Sequence, residues 1–136
     1  MGDSYKLCKI YWGIMINYWI VLGSIFGFLT ISLGAFGAHG LKNILINNET
    51  TDIYNKAVLY QMFHTLILLF LGLYQELGKN IHMLTGLSFV LGILIFSGSL
   101  YILSITNIKW LGAITPIGGL FFLIGWISLF IYSIKL

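Results

Sequence analysis

Residues 83–106 read MLTGLSFVLGILIFSGSLYILSIT, a run without one Asp, Glu, Lys, Arg or Pro. At a rise of about 1.5 Å per residue such a helix reaches about 36 Å, enough to cross the roughly 30 Å hydrocarbon layer of a bilayer. The pattern recurs on both sides of it. No charged side chain occurs between Lys9 and Lys42, between Lys56 and Glu76, between Lys79 and Lys109, or between Lys109 and Lys135. These gaps predict helices near Ile14–Gly37, Ala57–Gln75, Met83–Thr106 and Trp110–Ile134. The expected fold is all-α, an integral membrane four-helix bundle with antiparallel up-down-up-down topology. It forms one domain over residues 14–136, preceded by an extension over residues 1–13.

Composition argues the same way. Hydrophobic residues make up 59% of the 136 and charged residues 8%, and the mean hydropathy is +0.97. So few polar side chains cannot clothe a water-facing surface, so a lipid bilayer is the expected partner. The net charge of +3 rests on seven Lys spaced singly along the chain, with no Arg. That spacing gives no basic patch for nucleic acid. Cys8 is the only cysteine, which excludes an internal disulfide and a cysteine zinc cluster. Lys6 and Lys9 ahead of an apolar run, with Ala35 and Gly37 behind it, also fit a signal peptide. The run exceeds the usual h-region of about 7 to 15 residues, so it is expected to stay as a span.

With four spans, Lys6, Lys9, Lys79 and Lys135 share one side of the membrane, and Lys42, Lys56 and Lys109 the other. The excess, with the terminal amine, predicts both termini in the cytoplasm. The loop between Lys42 and Lys56 is the longest. Its Asn48-Glu49-Thr50 matches a glycosylation sequon by pattern, and Thr51 or Asp52 offers a helix cap.

Helices in lipid associate through close backbone approach and interhelical hydrogen bonds, because lipid tails are as apolar as leucine. Gly23, Gly27, Thr30, Gly34 and Ala38 draw a stripe of small residues down the first helix, a packing face that could also join two copies of the chain. Pro116 predicts a kink in the fourth helix, since it frees the carbonyl of Gly112.

The polar residues within the spans are His39, Tyr60, Gln61, His64, Thr65, Ser97, Ser99, Tyr101 and Thr115. Counted from the non-cytoplasmic helix ends, His64 lies about 10 Å deep, Ser97 and Ser99 about 10 to 13 Å, and Thr115 about 8 Å, with His39 at the rim. They are expected to form one polar layer in the outer half of the bundle. Gln61, His64, Thr65, Leu68, Gly72 and Gln75 share a face of the second helix, which should therefore point inward. The layer has two readings: interhelical hydrogen-bond glue, or a pocket for a small solute, a proton or a metal ion.

A metal centre finds only His39 and His64 as ligands, with no carboxylate in the spans, short of the four that a stable zinc site wants. Two imidazoles could also hold a haem, but nothing else marks one. No cofactor is therefore expected. The spans lack the acid that would orient a His base, so no catalytic residue is assigned and the chain reads as non-enzymatic.

Four segments carry a resemblance: Gly34-Ala35-Phe36-Gly37-Ala38-His39-Gly40-Leu41, Tyr60-Gln61-Met62-Phe63-His64-Thr65-Leu66, Phe96-Ser97-Gly98-Ser99-Leu100-Tyr101 and Thr115-Pro116-Ile117-Gly118-Gly119. In this order on four helices they resemble the YgdD/YwdK-like family of small bacterial inner-membrane proteins, a family without an assigned activity. The similarity runs from about Met15 to the C-terminus. It implies a four-span inner-membrane protein and makes Met15 a candidate start.

Overall fold

A computed structural model describes residues 16–79 and 81–134 of the chain. The extension over residues 1–13, Cys8, Lys6, Lys9, Met15 and Lys135 lie outside the described residues. Four helices are long and apolar enough to cross a membrane: Tyr18–Ala38, Thr51–Glu76, Met83–Thr106 and Lys109–Ile134. They are called here the first to fourth spans. No strand occurs among the described residues.

The starts of the first two spans and the course of the fourth differ from the sequence-based expectation, each for a local reason. The first span starts at Tyr18, where the Asn17 side chain caps it by accepting from the Ile20 N–H at 3.2 Å. The second begins at Thr51, six residues before Ala57, because the Asp52 carboxylate suits the positive end of the helix in its first turn, Lys56 is a good helix former, and both need only lie outside the hydrocarbon. Neither Thr51 nor Asp52 is the cap; Thr50 occupies that position, and its hydroxyl donates to the Ser104 carbonyl at 2.7 Å instead. The fourth span does not kink at Pro116. A 3₁₀ segment, Lys109–Ala113, comes first, and the α-helix Thr115–Ile134 starts afterwards. Pro116 thus sits in a first helical turn, where its missing N–H costs no hydrogen bond.

The first two spans form one antiparallel hairpin. Asn17 Nδ2 donates to the Gly72 carbonyl at 2.8 Å and to Glu76 Oε1 at 2.9 Å. A Cβ on Gly72 would stand 2.9 Å from the Ile20 backbone nitrogen, one on Gly23 2.7 Å from Leu69, one on Gly27 3.7 Å from Thr65 and one on Gly34 3.6 Å from Val58. Each step up the first span is matched by an equal step down the second. The small-residue stripe is therefore an internal seam. The second span takes up most of the face expected to join two copies of the chain, with Gly27 and Gly34 half-buried and Ala38 exposed. The stripe also ends differently: Gly37 is buried against Tyr54, while Ala38 is exposed. A step of three after Gly34 keeps the row on the same face, since 3.6 residues make a turn.

The third and fourth spans form a second hairpin with the same logic. Gly92 lies against Phe122, Gly118 against the Phe96 backbone and Gly125 against Phe89. Thr85 and Ser128 hydroxyls meet at 2.6 Å and those of Ser99 and Thr115 at 2.9 Å. The two hairpins join along the second and third spans. Half of the third span's most apolar window is buried, against 17% for the fourth, which makes the third the central helix. Outward faces are apolar; Phe28 is 72% and Ile31 76% exposed within the chain, as side chains solvated by lipid would be.

The third span carries a π-helical turn at Ile93–Ser97, flanked by Gly92 and Gly98. One added residue turns everything beyond it by about 100° about the helix axis. Gly92 and Phe89 can so face the fourth span while Tyr101 faces the second. On the loop side, Asn48 Nδ2 donates to the carbonyls of Ser104 and Ile105, both at 3.1 Å. The sequon asparagine is thus committed to tying the connecting segment to the third span.

Candidate functional site

The inward face expected for the second span is present. Gln61, His64, Thr65, Leu68 and Gly72 are all buried, and only Gln75, beyond the packed region, is exposed. The polar residues do not form one continuous layer, however. Gln61 with Tyr101, Ser99 with Thr115 and His64 with Trp126 form separate pairs across neighbouring helices, while His39, Thr65 and Ser97 join none.

Gln61 is the most connected. Its Nε2 donates to the Phe26 carbonyl of the first span at 3.2 Å, and its Oε1 accepts from the Tyr101 hydroxyl of the third at 2.9 Å. One side chain thereby links three helices. Tyr101 meets the edge of Tyr54 with ring centroids 5.0 Å apart, and the Tyr54 hydroxyl donates to the Leu33 carbonyl at 2.8 Å. Ser99 Oγ lies 3.0 Å from the Phe96 carbonyl and 2.9 Å from Thr115 Oγ1, which in turn lies 3.4 Å from the Leu111 carbonyl, so two hydroxyl protons are shared among three contacts.

Ser97 and Thr65 are buried, and neither hydroxyl has a hydrogen-bond partner among the described residues. Sequence reasoning placed both in the polar layer; the π-turn places Ser97 away from Gln61 and Thr115. A hydroxyl that bonds to nothing contributes only its desolvation cost, so removing it should not destabilise. Ser97→Ala and Thr65→Val are expected to unfold in detergent at or slightly above the wild-type midpoint. A drop of several degrees in either would show a partner, such as a bound water or ligand.

His64 is 4% exposed and faces the fourth span. Its ring lies flat on Phe122, with centroids 3.5 Å apart and planes 5° from parallel. Nδ1 stands 2.8 Å from the Tyr60 carbonyl, which can only accept, so the proton of the neutral ring is on Nδ1. Nε2 is left as an acceptor. The Trp126 indole N–H donates to it at 3.4 Å, long for a hydrogen bond.

His64 and Trp126 line a groove of about 770 Å³ between the second and fourth spans, with Phe96 of the third between them. The sequence reading missed Trp126, Phe122 and Phe96. A tryptophan in the middle of a span was the available signal, since its N–H needs an acceptor there and most membrane tryptophans sit at the interfaces.

His39 is exposed at the C-terminal cap of the first span, where its backbone N–H bonds the Ala35 carbonyl. It is not brought to His64, whose ring neighbours all belong to the second, third and fourth spans. Among the described residues no three His, Cys, Asp or Glu side chains are grouped to hold a metal ion. Tyr60 is exposed on the groove wall, stacked on Phe96 at 4.5 Å.

Four lipid-length helices in two small-residue hairpins, crosslinked by buried polar pairs, define a polytopic α-helical membrane protein. The chain belongs to the family described as Protein of unknown function (DUF423), whose sequence model matches residues 33–119. It is 46% identical over 117 residues to a UPF0382 membrane protein of Staphylococcus aureus strain bovine RF122, covering 85% of this chain and 94% of that one. Similarity to the UPF0382 membrane protein YwdK of Bacillus subtilis strain 168 is 42% over 118 residues, 85% of this chain and 95% of the relative. A UPF0382 membrane protein of Haemophilus influenzae is 43% identical over 121 residues, 89% and 97% of the two chains. No solved structure is a significant match.

Proposed function

We propose that this chain is a non-enzymatic accessory protein of the bacterial inner membrane, with both termini in the cytoplasm, whose buried polar groups brace the second hairpin and tie it to the first. The observation that supports this most is that Gln61, Tyr101, Ser99, Thr115, Thr85 and Ser128 satisfy one another or a backbone carbonyl pairwise. Groups matched in that way act as interhelical glue, each bond contributing about 0.6 to 2 kcal/mol. A conduit for a solute or proton would instead need polar groups in series along the bundle.

Two measurements test the reading. In proteoliposomes, the protein should produce no proton flux above that of empty vesicles, and a dye-detected flux abolished by His64→Leu would refute it. In a Cys8→Ser background, Lys79→Cys should react with a membrane-impermeant maleimide from the cytoplasmic side and Lys109→Cys from the opposite side. Labelling of both from one side would overturn the topology.

A further inference from the structure

We propose that the groove between the second and fourth spans binds a membrane-dissolved hydroquinone, a ring with phenolic O–H groups carried on a hydrocarbon tail. The site adds to the accessory role and does not depend on it. The groove volume of about 770 Å³ falls in the range of pockets that hold small molecules, roughly 300 to 1,000 Å³. His64 is the fourteenth of the 26 residues of the second span, so the groove's polar atoms lie near mid-height of the helix. Anything that occupies it must come from the lipid phase.

Its lining is apolar except for the Tyr60 phenol, His64 Nε2 and the Trp126 N–H. The last two decide the chemistry. Because Nδ1–H is held by the Tyr60 carbonyl at 2.8 Å, Nε2 can only accept; because the indole stands 3.4 Å away, that acceptor is poorly satisfied. With the Trp126 indole turned away so that the two nitrogens part, one hydroxyl oxygen can donate to Nε2 and accept from the indole N–H, replacing one long bond with two short ones. Ester and phosphate oxygens of ordinary phospholipids accept but do not donate, so they leave Nε2 without a proton. A chain alcohol supplies the O–H but not the ring. Tyr60, Phe63 and Trp126 offer aromatic walls whose faces and edges favour a ring over a methylene chain. A hydroquinone alone among these meets both demands.

The test uses the full-length protein in detergent and three probes: a decyl-substituted benzohydroquinone kept reduced under argon, its dimethyl ether, and 1-dodecanol. The hydroquinone should raise the unfolding midpoint saturably by about 4 °C or more at excess ligand. The ether, which cannot donate, should bind about tenfold more weakly. Trp126→Phe keeps an aromatic ring but loses the indole N–H, and should also weaken hydroquinone binding about tenfold. Equal shifts from the ether or from 1-dodecanol, or no saturable shift from the hydroquinone, would overturn the proposal. So would unchanged affinity in a folded Trp126→Phe protein; if that variant does not fold, the wild-type probe series decides.

Discussion

Replacing Gly118 with Ala should lower stability by about 3 kcal/mol, and replacing its neighbour Gly119 in the same way should have almost no effect. The difference lies in what each new methyl would meet. At Gly118 a Cβ falls against the Phe96 backbone nitrogen and only 2.7 Å from its Cα, atoms that cannot rotate aside. The third and fourth spans would have to move apart, opening the hairpin that Gly92–Phe122 and Gly125–Phe89 otherwise close. Overpacking of a tight core costs about 1 to 3 kcal/mol, with a backbone obstacle at the upper end. In lipid no solvent effect presses the helices back together, because the surroundings are as apolar as the interface. At Gly119 the nearest atoms to a Cβ are Phe96 ring carbons at 3.8 and 3.9 Å, an ordinary contact. There the lower backbone entropy of alanine should offset any crowding. Denaturant titration of both variants in the same detergent gives the comparison. Equal losses at the two positions would show that the helices do not cross at Gly118.

The second large effect is expected at Gln61. Gln61→Leu removes the bond to the Phe26 carbonyl and the one from the Tyr101 hydroxyl, and it leaves that hydroxyl unpaired in a buried site. Two interhelical bonds at about 0.6 to 1.7 kcal/mol, with the cost of an orphaned O–H, predict a loss of about 2 to 3 kcal/mol. Tyr101→Phe removes one bond but leaves Gln61 its carbonyl partner, so its cost should be nearer about 1 kcal/mol. Once Tyr101 is Phe, Gln61→Leu no longer orphans a phenol. The double variant should therefore lose less than the sum of the singles by about 1 kcal/mol, the coupling that a double-mutant cycle measures. Strict additivity would mean that Gln61 and Tyr101 do not bond in the folded protein. Because Gln61 touches the first and third spans at once, the variant should also loosen the contact between the hairpins. Faster proteolysis of the Asn48–Thr50 connection, which is pinned at Ser104, would report it.

The family relationship bears on which parts of this architecture carry over to relatives. The matched residues 33–119 begin within the first span and end beside Gly118 and Gly119. They include Gln61, Tyr101, Ser99 and Thr115, the members of the polar pairs nearest the Lys42–Lys56 side. Trp126 lies beyond that range. Testing the hydroquinone probe on the Bacillus subtilis relative, whose alignment covers 95% of its length, would show whether the groove chemistry is shared.

Four uncharged stretches, bounded by single lysines and acids, were enough to determine four membrane helices, because the cost of burying a charge in hydrocarbon acts on each segment alone. The inward face of the second span and the glycine row of the first could be read for the same reason, as both follow from the 3.6-residue period. Partner choice was not legible. Whether Gln61 bonds Ser99 or Tyr101 depends on the rotation and register of helices joined only through distant loops, and a π-turn at Ile93–Ser97 turns half of the third span by about 100° with no mark in its composition. The burial of the glycine row inside the first hairpin, the start of the last helix beside Pro116 and the meeting of His64 with Trp126 were likewise decided by packing. Close approach of two backbones is a property of a pair of helices, and neither helix contains it alone.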